Sequence, residues 1–251
     1  MKALFFEPHD DDLIIGAGGT VIQMLEEGWE IRTVQMTDCR HGSTEIDPEE
    51  LVEIRKEEKE EEIEFLGIEC DFLDFEDGSL QELAEENPGK ALEEIKNRLQ
   101  DLRPDVVFMP GLDEGHPDHR GTHQLVSQAV DETGLEALKL SYLVWQLPFL
   151  EGENRIEKVL EVEVNEEIYE EKLDGIRLHE SQEVEGRYSE MAEHFNSYLG
   201  LLYSSRGEKG LKRSEVLGVQ NPEKMEILEG LDFNDVSELS HGRESEDISV
   251  N

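Results

Sequence analysis

Apolar positions along the chain switch repeatedly between a period near two and a period near 3.6, and the switches alternate. Lys2–Glu7 (KALFFE) is a short apolar run ending at Pro8 and reads as a buried strand. Leu13–Glu27 carries helical spacing and stops at Gly28. Glu30–Met36 reads as a second strand, followed by a polar loop over Thr37–Asp47. Asp47-Pro48-Glu49-Glu50 combines an N-cap Asp, a proline at the first helical position and a Glu three residues on, so a helix starts there and reaches about Leu66 before Gly67. Ile68–Leu73 reads as a third strand, Asp77-Gly78 as a turn, and Ser79–Glu82 as the start of a short helix. Asn87-Pro88 opens another helix, which ends before Arg103-Pro104. Asp105–Met109 is expected to be a buried strand, Pro110–His119 a loop and Arg120–Glu132 a helix. Leu140–Leu147 and Ile156–Val164 read as strands, 166–182 and 187–203 as helices, and Val216–Val219 as a last strand.

Strands alternate with helices through the first 147 residues. That order predicts an α/β fold, Rossmann-like, with a mostly parallel sheet and helices on both faces. Gly16, Gly18 and Gly19 fall near the start of the first helix, where they permit close packing on the sheet or close approach to a ligand. Neither G-x-G-x-x-G nor G-x-x-x-x-G-K-[ST] occurs, so a nucleotide site has little support.

Charge narrows the partners. Of 251 residues, 23 are Lys or Arg and 63 are Asp or Glu, a formal net charge of −40. Phosphate-backbone binding needs clustered cations, so nucleic acid is excluded as a partner, and anionic membrane surfaces are disfavoured for the same reason. No run approaches the roughly 18 apolar residues of a spanning helix. Glu7 and Asp10, Asp11 and Asp12 interrupt the N-terminal apolar stretch, so it does not read as a secretory signal, and a cytoplasmic protein is expected. Cys39 and Cys70 are expected to be free thiols. Carboxylates in runs such as Glu60-Glu61-Glu62 repel one another in a compact state. Molar salt shortens the Debye length to about 3 Å, so a salt-adapted, halophilic protein is expected. Its unfolding midpoint is expected to rise steadily from low to molar KCl; a midpoint indifferent to salt would remove that reading.

Chemistry concentrates in two segments. Pro8-His9-Asp10-Asp11-Asp12 follows the first strand directly, and Gly115-His116-Pro117-Asp118-His119 lies in the loop after the strand at 105–109. Ligands of open α/β sheets bind beyond the carboxyl ends of strands, which is where both segments fall. Imidazoles and carboxylates in this mix suit zinc: one His and one Asp from the first segment with one His from the second make a three-ligand site with a position left for water. Mg2+ or Ca2+ on the carboxylates would leave the histidines without a role. A spare carboxylate could take a proton from water and a spare imidazole could deliver one or stabilise an oxyanion. The competing structural reading makes the Asp run a turn and the cap of the first helix.

These residues resemble the LmbE-like (PIG-L) family of zinc-dependent de-N-acetylases. The family's [AP]-H-P-D-D motif and following G-x-G-G-T stand here as Pro8–Asp12 and Gly16–Thr20, and its H-P-D-H as His116–His119. Weaker matches are Arg55-x-x-Glu58, Asp77-Gly78-Ser79-Leu80, Arg103–Val107, and Lys172 with His179-x-Ser181-Gln182. One departure stands inside the first motif, where Asp10 replaces the family's proline; the base could thus be Asp10 or Asp11, and family spacing favours Asp11. The resemblance implies hydrolytic removal of an acetyl group from an N-acetylglucosamine-type substrate. It implies His9, Asp12 and His119 as Zn2+ ligands, Asp11 as general base, His116 as oxyanion stabiliser or proton donor, and Asp118 as its orienting carboxylate. Arg55 would bind substrate, with an ion pair to Glu58 as the alternative. His179 and Ser181-Gln182 are read as structural. The implied organisation is one domain over 1–233, with a core over 1–147 and a substrate-side part over 148–233, and a mobile acidic tail from 234. Specificity is expected in the loops 37–47, 110–115 and 147–155. A homo-oligomer, trimer or hexamer, is also implied. A zinc amidohydrolase acting on another amide, such as a thiol conjugate, and a catalytically silent sugar-binding protein are the competing functions.

Overall fold

The chain runs β1 (Lys2–Glu7), α1 (Asp12–Glu26), β2 (Glu30–Thr37), α2 (Pro48–Leu66), β3 (Glu69–Phe75), α3 (Leu80–Glu86), α4 (Gly89–Leu102), β4 (Val106–Pro110) and α5 (Pro117–Thr133). It continues through β5 (Leu138–Tyr142), β6 (Lys158–Val164), α6 (Glu166–Arg177), α7 (Glu180–Gly186), α8 (Tyr188–Tyr203), β7 (Arg213–Val219) and β8 (Phe233–Asp235). This is a computed structural model, and it describes residues 1–145, 158–203 and 212–236.

The apolar run of β1 feeds two cores. Ala3 and Phe5 enter one, Leu4 and Phe6 the other. A strand apolar on both faces belongs in the middle of a sheet covered on both sides. β1 lies there, in an eight-stranded sheet of order β3-β2-β1-β4-β5-β7-β6-β8. The strands from β3 to β5 in that order are parallel, and β7 runs antiparallel to β5. β6 runs antiparallel to both β7 and β8. The α/β sheet, mostly parallel and flanked by helices, is therefore present. α1 and α6 cover one face, and α4 and α5 the other.

Several boundaries differ from the sequence expectation. α5 begins at Pro117 rather than Arg120, so the His116–His119 motif opens a helix instead of ending a loop. His116 is the N-cap and Pro117 supplies the first helical residue, where a missing N–H is harmless. The helix expected over 166–182 is two helices, broken at Leu178 and His179, where the His179 ring is drawn into a buried polar cluster. Phe233–Asp235 pairs with β6, so Asn234 and Asp235 join the sheet. The 147–155 loop, the ends of the expected strands at Gln146–Leu147 and Ile156, and the tail from Ser237 lie outside the described residues.

The glycines near the start of α1 serve packing. A Cβ on Gly16 would come within 2.7 Å of Tyr142 Cδ2, and one on Gly19 within 2.7 Å of Val164 Cγ2. α1 is also kinked at Ala17, with φ −142° and ψ 16°. The kink leaves the N–H groups of Gly19 and Thr20 to be taken by the buried Glu215 carboxylate at 2.8 and 2.7 Å. Lys172 Nζ, fully buried, reaches the same carboxylate at 2.7 Å and Asn196 Oδ1 at 2.9 Å.

α3 and α5 touch at Gly121, where a Cβ would stand 2.3 Å from the Leu80 carbonyl carbon. Gly121→Ala is expected to destabilise by about 1–3 kcal/mol, because backbone rather than a flexible side chain must give. Chemical unfolding measures it; an unchanged midpoint would show that the two helices separate freely.

Candidate active site at the switch point of the sheet

β1 is flanked by β2 on one side and β4 on the other, so the strand order reverses between β1 and β4. Loops leaving the carboxyl ends of these two strands diverge to opposite faces and open a crevice. The two motifs follow β1 and β4, and for that reason segments about a hundred residues apart meet.

The chain turns sharply from β1 into α1. The His9 N–H donates to Asp12 Oδ2 at 2.9 Å, and the His9 ring Nδ1 lies 3.1 Å from the same oxygen. Asp12 begins α1, where the helix dipole favours a carboxylate. From α5, His119 Nε2 comes within 3.2 Å of Asp12 Oδ2. Two imidazole nitrogens thus converge on one carboxylate oxygen. Burial pushes Asp12 up, but His119 and His9 override it and hold the carboxyl well below the usual carboxylate range. His116 joins them with its ring centroid 4.8 Å from that of His9 and 5.5 Å from that of His119. His9, His116 and His119 each offer a nitrogen within 4.8 Å of the others.

The side chains of Asp10 and Asp11 go to different places. Asp11 lines a cavity of about 360 Å³ together with His9, Asp12, His116 and His119. Asp10 turns away into the interior, where Arg55 Nη2 pairs with its Oδ1 and His179 Nδ1 lies 3.2 Å from its Oδ2. Burial is the largest influence on Asp11 and pushes its carboxyl up, against the pull of Arg55.

Arg55 also lines the cavity but is 3% exposed, its Nη2 shared between Asp10 and Asp11 Oδ2, the latter at 3.1 Å. It does not pair with Glu58. The Glu58 carboxylate instead accepts from the Ser181 N–H and hydroxyl at 2.7 and 2.8 Å, tying α2 to α7. Beyond His179, Glu62 Oε2 accepts at 2.7 Å from Nε2, and Lys59 Nζ bridges Glu62 and Glu7 at 2.7 Å each. A continuous buried ionic chain thus runs from the middle of the sheet to the cavity wall. Burial alone would push the His179 imidazole down; hydrogen bonds to Asp10 and Glu62 overcome it and hold it up at about 10. A raised folded value gives stabilisation that is complete below the ordinary 6.5 and is lost as pH climbs toward about 10. Thermal midpoints are expected to fall across that window, and to fall less in His179→Gln.

Asp118 is fully buried behind the imidazoles. Its oxygens accept from the Gly78 N–H at 2.6 Å and the Leu80 N–H at 2.8 Å, and Oδ2 stands 3.5 Å from His9 Nε2 and 4.0 Å from His116 Nδ1. Sequence reasoning passed over two carboxylates here. Asp77 Oδ1 lies 3.3 Å from His9 Nε2, and its other oxygen accepts from the His41 N–H at 2.9 Å. Glu114 Oε1 accepts from Val144 N–H at 2.8 Å, with Oε2 3.9 Å from His119 Nδ1. Asp77 carries a turn signal and a weak motif match but no assigned role in the sequence, and Glu114 carries no signal beyond its nearness to His116. Trp145 and Tyr188 form part of the wall, their rings 5.1 Å apart. His41 lines the rim and is largely exposed, whereas His123 turns away to donate to the Pro110 carbonyl at 2.8 Å.

The chain is similar to known proteins in sequence and in fold. Residues 4–130, half of the chain, match the PIG-L family, described as GlcNAc-PI de-N-acetylase. A diacetylchitobiose deacetylase of Thermococcus kodakarensis is 36% identical over 149 residues, 57% of this chain and 54% of that one, so the chain spans about half the length of that relative. A 1D-myo-inositol 2-acetamido-2-deoxy-alpha-D-glucopyranoside deacetylase of Corynebacterium glutamicum is 25% identical over 69% of this chain and 72% of its own. The structure of the N,N'-diacetylchitobiose deacetylase from Pyrococcus horikoshii, complexed with an inhibitor, superposes with a TM-score of 0.68 at 27% identity, covering 87% of this chain and 83% of that one. Fold, motif order and the match over half its length together make this chain a member of the PIG-L (LmbE-like) family.

Proposed function

We propose that the protein is a zinc-dependent hydrolase that removes the acetyl group from an N-acetylglucosamine-type substrate. One juxtaposition supports this above all: a carboxylate outside the donor set, Asp11, and an imidazole, His116, share a cavity with a His-Asp-His donor set. Two imidazole nitrogens and a carboxylate oxygen are the donor types of a catalytic zinc site, and His9, Asp12 and His119 would hold the ion. Zinc held there supplies an acidified water, with a pKa near ~7, and a Lewis acid for the amide carbonyl.

The residues around it divide the remaining work. Asp11 takes the proton from the attacking water. His116, at the mouth of the cavity, stabilises the developing oxyanion or hands a proton to the departing amine. Asp118 fixes the Gly78–Leu80 turn and backs the imidazoles from behind. Arg55 borders the cavity and holds Asp11 in place. Gln182 of α7 and Tyr188 of α8 stand in the cavity wall. Among the described residues no helix is long and apolar enough to cross a membrane.

Acetate release from a panel of N-acetylglucosamine compounds in molar KCl, with metal content measured alongside, tests the reading. Release that a chelator abolishes and zinc restores is the expected result. Bound zinc without release from any sugar would move the function to another amide or to silent binding, and absence of zinc would overturn the assignment.

A further inference from the structure

Asp10 stands where the family motif has a proline, and its place in the structure bears on which sugars the cavity accepts. Its side chain is fully buried, with one oxygen on Arg55 and the other on His179. Arg55 is the sole lysine or arginine among the described residues lining the cavity. The same Nη2 that meets Asp10 meets Asp11, and Nη1 is pressed against the backbone, since a Cβ on Gly42 would fall 2.1 Å from it. The acidic side chains of the wall are four carboxylates, Asp11, Asp12, Asp77 and Glu114. His9 and His119 are held on Asp12. Arginine is the side chain suited to bidentate capture of phosphate or carboxylate, and here its charge is matched internally by two carboxylates. Even with a divalent ion on His9, Asp12 and His119, the wall keeps an excess of negative charge. Salt screens exposed charges, but these are buried and are screened much less.

We propose that Asp10, by neutralising Arg55, makes this cavity select uncharged N-acetylglucosaminides and reject those bearing phosphate, sulfate or carboxylate near the acetamide ring. The proposal rests on reading this cavity as the sugar site. An anion entering would lose its water without gaining an unmatched guanidinium, and would face carboxylates from several sides.

The test compares kcat/KM for N-acetylglucosamine with that for its 6-phosphate, in molar KCl, on zinc-loaded protein. The native chain is expected to favour the neutral sugar by about tenfold or more, like charges being strongly penalised at a desolvated site. Asp10→Asn and Asp10→Pro should narrow that ratio toward one, while Glu60→Gln, which removes one exposed carboxylate from α2, should leave it unchanged. Equal use of both sugars by the native chain would overturn the proposal. So would an Asp10→Asn protein that loses activity on both in equal proportion, the result of a purely structural role. If neither variant folds, the native ratio decides alone. If neither sugar is hydrolysed, the deacetylase reading fails, and thermal shifts with the two sugars still decide the selectivity: stabilisation by the neutral sugar alone supports it, and equal stabilisation by the phosphate overturns it.

Discussion

Asp11→Asn is expected to cut acetate release by about 10²–10⁴-fold while the protein keeps about one zinc per chain. The substitution preserves shape and leaves His9, Asp12 and His119 in place, so the ligand set survives. What it removes is a group able to take a proton at the cavity wall. Asp10→Asn offers the internal comparison. Asp10 faces the interior, pairs with Arg55 and His179 and does not line the cavity, so its loss on the neutral sugar should be much smaller. If the order is reversed, with Asp10→Asn the more damaging and Asp11→Asn nearly active, the base has been assigned to the wrong carboxylate. Loss of zinc from Asp11→Asn would instead make Asp11 a ligand.

Much of this site was legible before the structure. Strands alternating with helices required a largely parallel sheet, and that in turn placed both motifs on one edge. The meeting of His9, Asp12 and His119 follows from β1 and β4 being neighbours. What stayed hidden was set by long-range contacts. Asp77 looks like a turn residue because its role depends on β3 lying two strands from β1 and on the turn Asp118 holds. Glu114 depends on Val144, at the far side of β5. The α6–α7 break has no glycine or proline to mark it; it exists because His179 is bound to Asp10 and Glu62 from other helices and loops. The start of α5 was missed for a local reason. A proline in a polar stretch reads as loop-forming, yet after a capping residue it equally well opens a helix, as Pro117 does after His116. For Arg55 the i,i+3 spacing to Glu58 offers an ion pair as the alternative to substrate binding, but both side chains point inward and each finds a partner on another element.

The buried ionic clusters also set where the molecule is most easily broken. Glu215→Leu is expected to cost about 3–5 kcal/mol, since it strands the fully buried Lys172 ammonium with Asn196 as its remaining partner. It also takes the acceptor from the Gly19 and Thr20 N–H groups at the α1 kink. Glu215→Gln keeps an oxygen for those N–H groups and should cost less. Adding Lys172→Met to Glu215→Leu should recover part of the loss, because no charge is then left unpaired; the two effects are coupled and not additive. Denaturant unfolding of the native chain, Glu215→Leu, Lys172→Met and the double variant in molar KCl measures this cycle. A double variant that loses the simple sum of the two single losses would mean that Lys172 and Glu215 act independently, and the kink of α1 would then need another support. The outcome bears on the site as well. α1 carries Asp12 at its first residue, so the pair on α6 and β7 holds in register the helix that presents a proposed zinc ligand.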